Sequence, residues 1–166
     1  MTFLIVSDTH GRYERLRELC QKHKRVDALI FLGDGLNDID RAGVKDFGFT
    51  VFSVRGNWDS GMGTITAMKA KDEITHTFEG VRFYALHGHT KNVKGGLTNA
   101  IYSAETQDAD VLLYGHTHEP FYTYLSNGEY NLSKPMHVFN PGSLANYNYG
   151  ICIVEKGEII FYNEIL

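Results

Sequence analysis

The feature that most constrains this chain is a set of short, unbroken apolar runs, each stopped by a polar or glycine-containing turn. Phe3–Val6 runs into Ser7-Asp8-Thr9-His10, Ala28–Leu32 into Gly33-Asp34-Gly35, and Val51–Val54 into Arg55-Gly56-Asn57-Trp58-Asp59. Val81–Leu86 meets His87-Gly88-His89, Val111–Tyr114 meets Gly115-His116-Thr117-His118, and Val138-Phe139 meets Asn140-Pro141-Gly142-Ser143. A strand with one wet face alternates apolar and polar residues, whereas a strand buried on both faces does not. The runs therefore read as strands buried on both faces.

Helices fit between them. Arg12–Lys24 places Tyr13, Leu16, Leu19 and Cys20 on one face, and Gly96–Thr106 does the same with Leu97, Ala100, Ile101 and Ala104. A shorter helix is expected near Asp38–Asp46, with Asn37 and Asp38 in its N-cap region. The last third reads as strands at Phe121–Leu125, Val138–Phe139, Tyr149–Val154 and Glu158–Tyr162, with hairpin turn signals at Asn127-Gly128 and Lys156-Gly157. An α/β first half is expected, followed by a β meander that completes a second sheet. The 166 residues suit a single domain, 1–166, large enough to need no disulfides. Cys20 and Cys152 are expected to be reduced, partly buried thiols.

In open α/β sheets, ligands sit beyond the carboxyl ends of the strands. The loops there offer Asp8, His10, Asp34, Asn57, His87, His116 and His118. Local turn chemistry explains Asp and Asn, but it does not call for histidine. Asp8-x-His10 and His116-x-His118 each project two ligands from one loop. Gly33, Gly35 and Gly56 let the backbone turn sharply and approach an ion closely. Carboxylate, imidazole and amide donors without thiolate suit manganese, iron, zinc, nickel or cobalt. Seven donors exceed what one ion needs while it keeps an open position. They fit two ions that share a carboxylate and clamp both oxygens of an in-line displacement.

Asp8-Thr9-His10, Gly33-Asp34, Gly56-Asn57-Trp58-Asp59, His87-Gly88-His89 and Gly115-His116-Thr117-His118 together resemble the calcineurin-like metallophosphoesterase family, in particular its small single-domain prokaryotic phosphodiesterases. The blocks come in that family's order. The resemblance implies an α/β fold of two mixed β-sheets packed face to face, with helices outside in a four-layer sandwich. It implies that Asp8, His10 and His118 bind one metal, that Asn57, His87 and His116 bind a second, and that Asp34 bridges them. Manganese is the first choice of ion. A hydroxide bridging the two ions would attack phosphorus, making the chain a phosphodiesterase or phosphatase.

One position departs from the family pattern. Many members carry a His after the Asn, where it binds the phosphoryl group or protonates the leaving oxygen. Trp58 stands there and can do neither proton job, while Asp59, which would orient such a His, is kept. His89 is expected to serve as phosphate contact or proton donor; otherwise the enzyme acts on good leaving groups without a side-chain acid. The expected catalytic set is Asn57, His89 and Asp59.

The remaining residues are read more plainly. His23 and His76 are expected in solvent and His137 in a structural place. Arg55, Lys91 and Lys94 either meet substrate phosphate or are hydrated, and Trp58 either stacks on an aromatic leaving group or packs. Asn140-Pro141-Gly142-Ser143 reads as a type II turn bordering the site, with Tyr147 and Tyr149 near it. A net charge of −4 and the lack of any Lys/Arg block argue against long nucleic acids. A small phosphate ester in an open site is expected instead, with room for a homo-oligomer. The apolar run ending at Asp8 is too short for a signal peptide or a membrane span, so no membrane partner and a cytoplasmic setting are expected. The competing reading is a non-catalytic protein–protein interaction module on the same scaffold, as in a eukaryotic retromer subunit with a degraded metal site. Here every ligand position is filled, which favours an enzyme.

Overall fold

The apolar runs alternate internally, and that alternation decides the layers. The computed structural model describes residues 1–61 and 63–166. In chain order its main elements are β1 (Thr2–Val6), α1 (Tyr13–Lys22), β2 (Ala28–Phe31), α2 (Leu36–Arg41), β3 (Thr50–Ser53), α3 (Ile65–Lys69) and β4 (Glu73–Phe78). There follow β5 (Val81–Leu86), α4 (Thr98–Thr106), β6 (Val111–Leu113), β7 (Pro120–Leu125), β8 (Met136–Pro141), β9 (Asn148–Glu155) and β10 (Glu158–Ile165).

Two five-stranded mixed sheets result, ordered β10-β9-β1-β2-β3 and β4-β5-β6-β8-β7. Phe3 and Ile5 of β1 and Ala28 and Ile30 of β2 join Phe83 and Ala85 of β5, Val111 and Leu113 of β6 and Phe139 of β8 in the core between the sheets. The alternate residues Leu4, Val6, Leu29 and Phe31 face outwards, where Leu16, Leu19 and Cys20 of α1 cover them. Tyr84, Leu86, Leu112 and Val138 do the same under Ala100, Ile101 and Ala104 of α4. Both faces of the central strands are thus buried, and the helix–sheet–sheet–helix sandwich is the arrangement expected from the sequence.

Several local expectations are corrected. The C-terminal hairpin does not extend the second sheet. It returns to the first, where β9 lies antiparallel to β1 with Leu4 opposite Ile151. Lys156-Gly157 is the tight turn expected there, with φ of 53° and 86° between the paired Glu155 and Glu158. Asn127-Gly128 is not: β7 and β8 pair up only from Leu125 and Met136, so a longer loop joins them. The Asp38–Asp46 helix is shorter and starts earlier. Gly35 is its N-cap, and Gly43 at φ 66° divides α2 from a single tight turn at Val44–Phe47. Helix α3 carried too weak a pattern to be read in advance; Thr64 caps it by accepting from the Ala67 N–H.

Cys20 and Cys152 are free and buried, and burial pushes both thiols up to about 12. Among the described residues no helix is long and apolar enough to cross a membrane.

Candidate metal centre

The parallel strands β1, β2, β5 and β6 end on the same side of the sandwich, and the loops that follow them meet there. Backbone bonds knit those loops together. Asp8 N–H donates to Gly33 O at 2.9 Å, His10 N–H to Asp34 O at 3.1 Å, and Gly115 N–H to His87 O at 3.0 Å. The approach needs glycine. A Cβ on Gly56 would lie 2.4 Å from Asp34 N, and one on Gly115 would lie 2.0 Å from Ser7 Oγ.

The structure brings the seven sequence-derived residues to this one place. Ligand atoms of Asp8, His10 and His118 all lie within 4.8 Å of one another, and so do those of Asp34, His87 and His116. His118 Nε2 is 3.2 Å from Asp8 Oδ1 and 3.2 Å from His10 Nε2. Asn57 Oδ1 is 3.2 Å from His87 Nε2. Asp34 Oδ2 faces both groups, at 3.4 Å from His87 Nε2 and 3.9 Å from His10 Nε2. Five of the seven backbones lie in the left-handed region: Asp8, His10, Asp34, His116 and His118, with φ between 45° and 68°. Such strain is tolerated where the surroundings impose it, and it concentrates at functional sites.

Supporting bonds orient the donors. His87 Nδ1–H donates to Leu32 O at 2.7 Å, so Nε2 is the atom aimed at the cluster. Asp8 Oδ2 accepts from Ser7 Oγ at 2.5 Å and from His116 N–H at 3.0 Å. Asp8 Oδ1, by contrast, is buried and has no hydrogen-bond partner among the described residues. An orphaned carboxylate oxygen surrounded by imidazole nitrogens fits a cation.

The electrostatics agree. Burial opposes ionisation of Asp8, but the facing imidazoles of His10, His118 and His87 and the Ser7 hydroxyl outweigh it and hold its pKa well below the usual carboxylate range. Asp34 is lowered in the same way, with His87 outweighing burial. The Asp8 carboxylate, with Oδ1 3.7 Å from Nε2, raises His10. Burial works against His87, yet Asp34 and Asp8 raise it overall. His116 is pushed down to about 4 by burial, His87 and Lys94. Two buried anions thus draw positive charge into the centre, which is what divalent ions would provide. The donor set and its geometry fit such ions.

Other sequence-derived residues have different occupations. Asp59 is buried, and its carboxylate accepts four backbone N–H groups, from Asp34, Gly35, Leu36 and Gly56, at 2.8–2.9 Å. It holds the Asp34 turn, so its place in the expected catalytic set becomes that of a positioning residue. His89 lies beside the second group, with ring centroids 5.4 Å from His87 and 6.2 Å from His116. Its Nδ1 is buried without a partner among the described residues, and burial and His87 lower its pKa.

Lys91 pairs with Glu73 at 2.9 Å, and Arg55 donates to Ala70 O at 2.7 Å. His23, expected in solvent, is half-buried and bonded to the Tyr149 hydroxyl at 3.1 Å. Tyr147 stacks under Arg15. His76 is exposed as expected. His137 meets the Tyr122 hydroxyl at 3.0 Å.

Sequence reasoning missed the braces. Asn140 Nδ2 donates to Gly115 O at 3.1 Å and to Thr117 Oγ1 at 3.0 Å, and Ser143 Oγ donates to Asp8 O at 2.8 Å. Strand β8 runs through Pro141, and Gly142 has the φ of 78° that a type II turn places there. The Asn140 side chain accepts from Gly142 N–H at 2.8 Å.

Comparison with known proteins places the chain. The calcineurin-like phosphoesterase superfamily domain matches residues 1–155. A probable metallophosphoesterase of Bacillus subtilis, YsnB, is 32% identical over 173 aligned positions, covering 99% of this chain and 92% of that protein. The solved structure of an archaeal phosphodiesterase superposes with a TM-score of 0.74 at 24% identity over 100% of both chains. Vps29 of Entamoeba histolytica, solved in complex with zinc, gives 0.68 at 16% identity over 99% of both chains. These two likenesses speak to the fold. The domain match and the Bacillus relative speak to descent, and the chain belongs to the calcineurin-like phosphoesterase superfamily.

Proposed function

We propose that this protein is a metal-dependent phosphodiesterase that holds two divalent ions, manganese foremost. Asp8, His10 and His118 hold one ion, Asn57, His87 and His116 hold the other, and Asp34 is shared. The observation that carries this reading is Asp34 Oδ2, a single carboxylate oxygen facing both ligand groups. When bound, two such ions supply Lewis acidity and an activated water for in-line displacement at phosphorus.

The chain's own residues do the rest. Ser7 and the His116 N–H aim Asp8, Leu32 O aims His87, and Asp59 fixes the turn that presents Asp34. His89, beside the second group, contacts a phosphoryl oxygen or donates to the leaving oxygen; the Trp58 indole has no titratable proton to transfer. The acidic charge balance favours a small ester over long nucleic acid. The name of the archaeal relative supports a diester, and the setting is cytoplasmic.

The test is hydrolysis of a chromogenic phosphodiester. Turnover is expected with added Mn²⁺, loss on chelation, and recovery on metal replacement. No turnover with manganese, iron, zinc, nickel or cobalt would favour the interaction-module reading, whose support is the structural likeness to Vps29.

A further inference from the structure

Trp58 is the chain's single tryptophan, and it is 68% exposed. A side chain of that size and apolarity normally buries most of its surface, so packing does not account for it. Its backbone is nevertheless fixed, because the Trp58 N–H donates to Asp34 Oδ1 at 2.8 Å. The indole stands edge-on to His10, with ring centroids 5.5 Å apart.

The indole forms one wall of a cleft of about 630 Å³, a volume in the range of small-ligand sites. His10, Asp34 and His118 of the ligand cluster line this cleft, and so do Asn37, Asp38 and Arg41 of α2. The three α2 residues are not equally free. Asp38 Oδ2 accepts from Thr9 Oγ1 at 2.5 Å and from Gly11 N–H at 2.8 Å, so it is committed to the His10 loop. The Arg41 guanidinium is steadied over the Tyr13 ring at 4.0 Å. Asn37 Oδ1 is a buried acceptor with no partner among the described residues.

We propose that this cleft is a subsite for a nucleoside group esterified to the reacting phosphate, with its nucleobase stacked on Trp58. The inference rests on the phosphoesterase reading of the adjoining ligands. An exposed indole beside a phosphate-handling centre offers a π-face, and every nucleobase has one. Arg41 supplies planar N–H donors for base carbonyl or ring-nitrogen acceptors. A bare sugar phosphate or alkyl phosphate lacks the planar group that would cover the indole.

The single tryptophan is its own reporter. Its fluorescence, excited at the red edge where nucleobases absorb little, is followed in protein loaded with a diamagnetic divalent ion while adenosine 5′-monophosphate is added. Saturable quenching by this nucleotide, and none by ribose 5-phosphate, is the expected result. Calorimetry is expected to show Trp58→Ala weakening nucleotide binding by roughly 5- to 150-fold, the range of one base–aromatic stack. Trp58→Phe retains most of the affinity, and circular dichroism verifies that both variants fold.

Nucleotide binding unchanged in Trp58→Ala, or ribose 5-phosphate bound as tightly as the nucleotide, overturns the proposal. Chromogenic-diester turnover in the same preparation separates the two readings. Turnover without nucleotide discrimination removes the subsite and leaves the phosphodiesterase. Discrimination without turnover removes the catalytic reading and leaves the subsite.

Discussion

Asp34→Asn is expected to reduce metal-dependent kcat/KM by roughly 10³-fold or more, equivalent to about 4 kcal/mol of transition-state stabilisation. The carboxylate has two separate tasks. Oδ1 accepts the Trp58 N–H at 2.8 Å, and Oδ2 faces His87 and His10 at 3.4 and 3.9 Å. An asparagine carbonyl can keep the first bond, so the loop stays closed. The amide cannot supply the negative charge that two neighbouring cations share. Shape is preserved and charge is removed, which separates folding from ion binding. The thermal midpoint of the metal-free variant is expected within about 4 °C of the parent, in line with a change near 1 kcal/mol. Steady-state kinetics with saturating Mn²⁺ and a melting curve in chelator check both halves. A variant that retains full activity would remove Asp34 from the shared position.

Asp59→Ala is expected to act through stability first. Four buried N–H groups lose the carboxylate they donate to. A hydrogen bond to a charged group contributes about 1.5–3 kcal/mol, and a stranded buried donor is itself costly. The contributions do not add fully, but the loss should exceed about 4 kcal/mol and lower the thermal midpoint on the order of 10 °C. Asp59→Asn should fall between. Its oxygen can keep the Gly35 and Leu36 N–H groups, while its NH₂ meets those of Asp34 and Gly56. A residue that merely oriented a catalytic group would lower kcat and leave the melting curve alone. Denaturant titration of both variants beside their kinetics tells these cases apart.

What could be read in advance was local. The run Phe3-Leu4-Ile5-Val6 carries both of its burial faces in four residues, and the ligands Asp8 and His10 follow it directly. His116-x-His118 is legible for the same reason: it is a pair within one loop, of a residue type that turns do not require. What escaped depended on pairings between distant segments. Nothing near Tyr149–Val154 announces that Ile151 will sit opposite Leu4. The roles of Asn140 and Ser143 are set by backbone groups at Gly115 and Asp8, far away in the chain. The role of Asp59 escaped because three of its four N–H partners, Asp34, Gly35 and Leu36, lie in the turn after β2. Glycine spacing gave a partial signal, since Gly56 is where that turn and Asp59's own loop touch.

The proposed phosphodiesterase needs two cations held by one cluster of side chains. The direct measurement is to equilibrate metal-free protein with Mn²⁺, remove free ion, count bound manganese per chain and locate it by anomalous scattering. Two ions per chain are predicted, one beside Asp8, His10 and His118 and the other beside Asp34, Asn57, His87 and His116. A protein that retains no ion there, or that binds manganese only elsewhere, would contradict it.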